Sequence, residues 1–168
     1  ECDIRQEGEL LRAAGQLARL HRELDAVSAE WTPAGPAGLL PGVRGPLEEI
    51  GRHNRELKKV RSFIRGRVAK NKFEYLYLES FEKMYDMAEK VLERMERSGC
   101  EDLYKESMQM GTVIHGDYNY HNLLMLKEGM AVTGFEHMRV DIQMRDLYYF
   151  MRKAMEKHHW KQKTGQMI

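Results

Sequence analysis

Cysteine and long apolar runs are scarce in this sequence. Its only cysteines, Cys2 and Cys100, stand in no CxxC or Cys/His spacing, which excludes a disulfide scaffold and a structural zinc site. No apolar run approaches the roughly 18 residues that a membrane span requires, and the charged start, Glu1 to Arg5, is unlike a signal peptide. These absences predict a protein of the reducing cytosol that has no membrane partner.

Net charge is also nearly absent, because 27 basic residues balance 26 acidic ones among 168 and leave a formal charge of +1. A chain without a global field has no electrostatic pull towards nucleic acid, so we expect no such partner. Length and composition fit one domain with a single core. The sequence opens with Glu instead of Met, which indicates a processed product or a fragment of a longer gene.

Apolar residues at helical spacing predict long helices over residues 7–26, 47–68 and 73–97, which we expect to pack as a bundle. Between residues 52 and 72 nine residues are Lys or Arg and one is acidic, whereas the next stretch is mainly acidic. Two antiparallel helices with complementary or solvated faces explain this pattern, and an anion-binding surface is the alternative. All four prolines fall within residues 32–46, together with several glycines, which predicts a loop.

A polar octapeptide, HGDYNYHN at residues 115–122, lies between two predicted strands. The β-branched triplet 112–114 predicts the first strand, and residues 123–133 predict a hairpin that turns at Gly129. Phosphoryl transfer needs a carboxylate to take the proton of the attacking hydroxyl, and a separate oxygen ligand for the magnesium that bridges the phosphates. Asp117 and Asn122, five positions apart, have the spacing that places both groups in one loop.

Two further residues near this loop have expected structural roles. His115 is interpreted as a buried scaffold residue whose ring nitrogens bond the backbone, in preference to a catalytic or metal-binding histidine. Asp146 opens a predicted helix, where it could be a simple N-terminal cap.

Three segments carry a family resemblance: HGDYNYHN at 115–122, GFE at 134–136 and RDLYYFMRKAMEKHHW at 145–160. They resemble the C-terminal lobe of kinase-like phosphotransferases, which include aminoglycoside phosphotransferases and choline kinases. Within that superfamily they most resemble the CotS-type spore coat proteins of endospore-forming bacteria. The resemblance implies an α+β, mainly α fold, in which a helical bundle bears a small β-hairpin with the catalytic-type loop. Residues 1–168 would form that lobe, without the N-terminal nucleotide-binding lobe.

The resemblance also implies residue roles: Asp117 as catalytic base, Asn122 as a metal ligand and Asp146 as a structural aspartate. Two departures oppose catalysis. Where active relatives have a second metal-binding aspartate, this chain has Gly134, and Glu136 is the only candidate to replace it. No Gly-rich phosphate loop and no counterpart of the phosphate-contacting lysine are recognised, so we expect no nucleotide-binding residues in this chain.

Two functions therefore compete. The favoured one is a degenerate, non-catalytic scaffold of the spore coat, without a cofactor and with other coat proteins as partners. The alternative is a phosphotransferase that uses ATP and magnesium and acts on a hydroxyl of a small molecule or protein, with its missing lobe encoded upstream. A third reading is a helical domain with a chance motif match.

Overall fold

The computed structural model describes residues 1–28 and 44–168. Most of the predicted loop at 32–46 therefore lies outside the described residues. The mainly helical class with small antiparallel strands is confirmed. The helices are α1 Glu7–Ser28, α2 Pro46–Gly66, α3 Lys72–Glu96, α4 Cys100–Met110, α5 Met144–Lys157 and α6 Gln162–Met167, and the strands are β1 Val113–Ile114, β2 Leu123–Met125, β3 Met130–Val132 and β4 Arg139–Val140.

The three long predicted helices agree with α1, α2 and α3 to within about two residues at each end. The short helices α4 and α6 and the strand β4 were not predicted. With only 11, 6 and 2 residues, they have too few turns or pleats to show a hydrophobic period.

The chain divides into two compact units, and one of the two boundaries between them falls within α4, after Lys105. One unit holds α1, the four strands, α5 and α6, and the other holds α2 and α3. The helix α1 therefore lies in a different compact unit from α2 and α3, although the sequence predicts one bundle of the three. The apolar stripe of α1 packs on β1 and α5 instead. Among the described residues, no helix is both long and apolar enough to cross a bilayer.

In the second unit, α2 and α3 form an antiparallel pair. Cross-helix contacts join Asn54 to Glu89 at 2.8 Å, Arg61 to Glu82, and Arg67 to Glu74 at 2.5 Å. The partner numbers fall as the α2 numbers rise, which is the register of antiparallel neighbours. Some residues of the basic stretch on α2 thus contact acidic residues of α3, as the prediction of complementary faces states. An Asn71–Glu74 capping box starts α3 and ends the short connection between the helices.

In the first unit, the core joins the N-terminal segment, α1, the polar loop and α5. The backbone N–H of Cys2 donates to the Leu123 carbonyl at 2.9 Å, so the chain start lies alongside β2. The buried set comprises Cys2, Ile4, Leu10, Ala13, Leu17, Tyr118, Leu123, Phe150 and Ala154. Burial of this many large side chains around one loop residue, Tyr118, fixes the loop against both helices.

The strands form two separate antiparallel pairs, β1 with β4 and β2 with β3. The predicted hairpin is β2–β3, and Gly129 takes the left-handed conformation in its turn, with φ of 93°. The polar octapeptide runs from the end of β1 to the start of β2. It therefore links two small sheets.

Tyr118 provides a direct test of this packing. Its hydroxyl donates to the Ala13 carbonyl of α1 at 2.7 Å, its ring meets Phe150 edge-on, and burial raises the pKa of the phenol. We expect Tyr118→Phe to lower the free energy of unfolding by about 1 kcal/mol, because a buried hydrogen bond is lost. Urea denaturation followed by circular dichroism measures this. The control Tyr148→Phe changes an exposed ring, and an equal loss there would contradict the assignment.

Candidate active site

Asp146 holds the backbone at the start of the polar loop. Its carboxylate is 1% exposed and lies in the first turn of α5. One oxygen, Oδ2, accepts from the His115 N–H at 2.8 Å, and Oδ1 accepts from the Gly116 N–H at 2.9 Å. Hydrogen bonds to an ionised acceptor are about twice as strong as neutral ones, so this carboxylate fixes two consecutive peptide groups.

A histidine of α1 contacts the same carboxylate. His21 Nε2 lies 3.0 Å from Asp146 Oδ2, and the imidazole is 12% exposed. This contact was not predicted from the sequence. A signal was present, since His21 follows Leu17 by four residues and precedes Leu24 by three, on the buried stripe of α1.

His115 is fully buried, and both of its ring nitrogens bond the backbone. Nδ1 accepts from the Asp117 N–H at 3.2 Å, so Nε2 must carry the proton that it shares with the Thr133 carbonyl at 3.0 Å. The ring also packs against Phe135 at a centroid distance of 4.8 Å. His115 thus links the loop to the segment that follows β3.

Asp117 lies between two asparagine amides. The Nδ2 group of Asn119 donates to the Asp117 carbonyl and to Oδ1, both at 3.0 Å. The Nδ2 group of Asn122 donates to the same carbonyl and to Oδ2, both at 2.9 Å. The structure therefore brings Asp117 and Asn122 together, and both oxygens of the carboxylate accept an amide proton. Asn119, which is buried, was not predicted as part of the site.

Gly134 lies directly against the Asn122 amide. It adopts the left-handed conformation with φ of 82°, and a Cβ atom at this position would lie 2.8 Å from Asn122 Cγ and Oδ1. Asp and Asn tolerate this backbone region better than other side chains do, so its φ alone does not forbid an aspartate. The obstacle is the Asn122 amide, which would have to leave its bonds with Asp117.

The described side chains offer few ligands for a magnesium ion. Within residues 1–28 and 44–168, no three His, Cys, Asp or Glu side chains come close enough to hold a metal. Glu136 lies in a 3-10 turn just after Gly134, with an exposed side chain. The Asn122 amide and the Asp117 carboxylate are the ligands that this loop could offer, and the remaining oxygen ligands of an octahedral magnesium ion would have to come from water or phosphate.

Tyr149 of α5 is a further neighbour of Asp117. Burial, together with the charge of Asp117 and a hydrogen bond to it, raises the pKa of the Tyr149 phenol, and Arg152 opposes the shift. The Arg152 guanidinium lies 5.5 Å from the ring centroid. This neighbour was not predicted from the sequence, because nothing in a helical stripe shows which ring reaches a loop 32 residues away.

Comparison with known proteins places this geometry in context. The sequence profile of the ecdysteroid kinase-like family matches residues 6–168. The crystal structure of an aminoglycoside phosphotransferase from Alicyclobacillus acidocaldarius subsp. acidocaldarius DSM 446 superimposes with a TM-score of 0.81 at 16% sequence identity. The match covers 99% of this chain and 47% of that one, so the chain spans about half the length of this relative. No match is found among curated proteins.

Two glycines with similar backbone angles test the close packing of the loop. At Gly116, with φ of 82°, an added Cβ would lie 2.1 Å from the His137 carbonyl oxygen; at Gly129, with φ of 93°, it would meet nothing within 4 Å. We expect Gly129→Ala to cost about 1 kcal/mol of unfolding free energy, from backbone strain alone. Gly116→Ala should cost roughly 3 kcal/mol or more, because strain and overpacking add. Similar urea midpoints for the two variants would contradict the close approach.

Proposed function

Because this chain belongs to the ecdysteroid kinase-like family, we propose that it is part of a kinase-like protein whose phosphotransfer site has become a non-catalytic scaffold. The observation that carries the proposal is the Asp117 environment. Both carboxylate oxygens accept amide protons from Asn119 and Asn122, and Gly134 provides no second carboxylate. Most of the rate enhancement in phosphoryl transfer comes from positioning and charge neutralisation, which this set of groups supplies poorly.

Within this proposal the motif residues act on the backbone. His115 and Asp146 are scaffold residues that hold the loop to α5 and to the segment after β3. Asp117 is a structural anion that orients two asparagine side chains. No cofactor is needed for any of these contacts, since every group that takes part belongs to the chain.

The finer assignment is a spore coat protein of the CotS type. It rests on the sequence strings that resemble that group, above all RDLYYFMRKAMEKHHW at residues 145–160. Other coat proteins would be its partners, and the spore coat its location. A fluorescent fusion of the full-length protein, followed through sporulation in a host that carries the gene, tests this. A signal that stays diffuse in the mother cell would count against the coat assignment.

A second candidate function is ATP-dependent transfer of phosphate to a hydroxyl of a small molecule or protein. The observation in its favour is that Asn122 Nδ2 lies 2.9 Å from Asp117 Oδ2, in a chain whose fold matches that of an aminoglycoside phosphotransferase. Asp117 would then take the hydroxyl proton. This function would require further oxygen ligands for magnesium, from water, from the nucleotide phosphates or from outside the described residues, because no three His, Cys, Asp or Glu side chains of the described residues lie close enough to hold a metal.

Nucleotide binding by the full-length protein separates the two candidates. We expect titration calorimetry to show that ATP binds no more tightly with magnesium than without it, and that Asp117→Ala and Asn122→Ala change nothing in this respect. The physical reason is the missing carboxylate at Gly134. Binding that tightens with magnesium, or a turnover that disappears only in the Asp117 variant, would favour the phosphotransferase.

Stability gives an independent test of the structural role of Asp117. In Asp117→Asn one amide donor would face an NH2 group, so we expect a loss of about 1–2 kcal/mol of unfolding free energy. A residue kept only for catalysis would give no loss, or a gain, on this substitution. Asp86→Asn is the matched control, since Asp86 forms a solvent-exposed pair with Lys90, and pairs of this kind contribute little to stability. Equal urea midpoints for the two variants would contradict the structural role.

A further inference from the structure

We propose that His21 of α1 is the positioning residue of the polar loop: it fixes the Asp146 carboxylate, and through it the backbone at His115 and Gly116. The contacts form one continuous chain. His21 Nε2 lies 3.0 Å from Asp146 Oδ2, which also accepts from the His115 N–H at 2.8 Å, while Oδ1 accepts from the Gly116 N–H at 2.9 Å. The inference goes beyond the proposed function, because it holds whether or not the loop transfers phosphate.

The need for a third donor follows from the burial of the carboxylate. Asp146 is 1% exposed, so lone pairs of its carboxylate that accept no hydrogen bond would carry a desolvation cost, and the two peptide N–H groups occupy only one lone pair on each oxygen. The two peptide N–H groups belong to one segment, the start of the polar loop. The imidazole approaches Oδ2 from a different helix and holds the carboxylate from a second direction. His21 therefore determines where the two loop amides find their acceptor.

A second set of hydrogen bonds between α1 and α5 helps to hold His21 in place. Gln143, next to the start of α5, donates its side-chain N–H to Asp25 Oδ1 at 2.8 Å, and the same nitrogen lies 3.5 Å from the His21 carbonyl oxygen. These contacts fix the position of α1 along α5, about one helical turn away from the imidazole. The position of His21 is thus fixed independently of the loop that it orders.

The contact also specifies the chemistry of the ring. An ionised carboxylate accepts hydrogen bonds only, so His21 must carry a proton on Nε2. A histidine that merely filled space at this point of α1 would have no such requirement. The protonation state of one nitrogen therefore separates positioning from packing.

Amide hydrogen exchange in the full-length protein tests the proposal. In His21→Leu, which keeps the apolar volume but removes the donor, we expect the His115 and Gly116 amides to exchange roughly tenfold faster, because each loses a well-placed acceptor. His21→Gln retains an N–H donor at similar reach and should restore slow exchange. His53→Leu, which changes an exposed histidine of α2, should leave both loop amides unchanged.

Unchanged exchange in His21→Leu, or a Gln variant as fast as the Leu variant, would overturn the proposal. Should the Leu variant fail to fold, the wild-type protein still decides the matter by nitrogen NMR of the His21 ring. A resonance pattern with a proton on Nε2 supports the proposal, and a neutral ring with its proton on Nδ1 alone overturns it.

Discussion

The site depends on two hydrogen bonds, which the buried Asp146 carboxylate accepts from the successive peptide N–H groups of His115 and Gly116. The strands that flank the polar loop have only two and three residues each, and they belong to different sheets. Sheets of this size are marginal by themselves and cannot impose a conformation on an eight-residue connection. Asp146, which lies outside the loop, fixes the loop conformation that the two short strands cannot fix. The aromatic anchor of Tyr118 then secures the same loop to the core.

The environment of Asp117 shows how such a loop can remain stable without a metal. In a site with two carboxylates, repulsion between like charges has to be balanced by a cation. Here the second position is Gly134, so no repulsion arises, and amide protons from Asn119 and Asn122 satisfy the remaining charge. In the proposed scaffold, the glycine in place of an aspartate and the independence from a cation would thus be physically linked.

Much of this arrangement could be predicted from the sequence. The long helices have enough turns for their apolar period to be read, and the spacing of Asp117 and Asn122 within one loop suffices to bring them together. The division into two units could not be predicted, because the apolar stripe of α1 does not say which partner covers it. Contacts of His21, Asn119 and Tyr149 were missed for a related reason: each depends on a tertiary approach between segments or on a local turn that no periodicity encodes.

The structural use of the motif limits what its presence implies about chemistry. His115, Gly116 and Asp146 are each engaged in contacts that hold backbone: a ring bonded at both nitrogens, a glycine against the His137 carbonyl, and a carboxylate on two N–H groups. Selection for folding alone would retain all three. A match to the motif is therefore evidence for the fold. Evidence for catalysis has to come from positions whose residue type is not required to hold the backbone. Gly134 has a backbone role of its own, since it adopts the left-handed conformation against the Asn122 amide, and it has no side chain that could bind a metal.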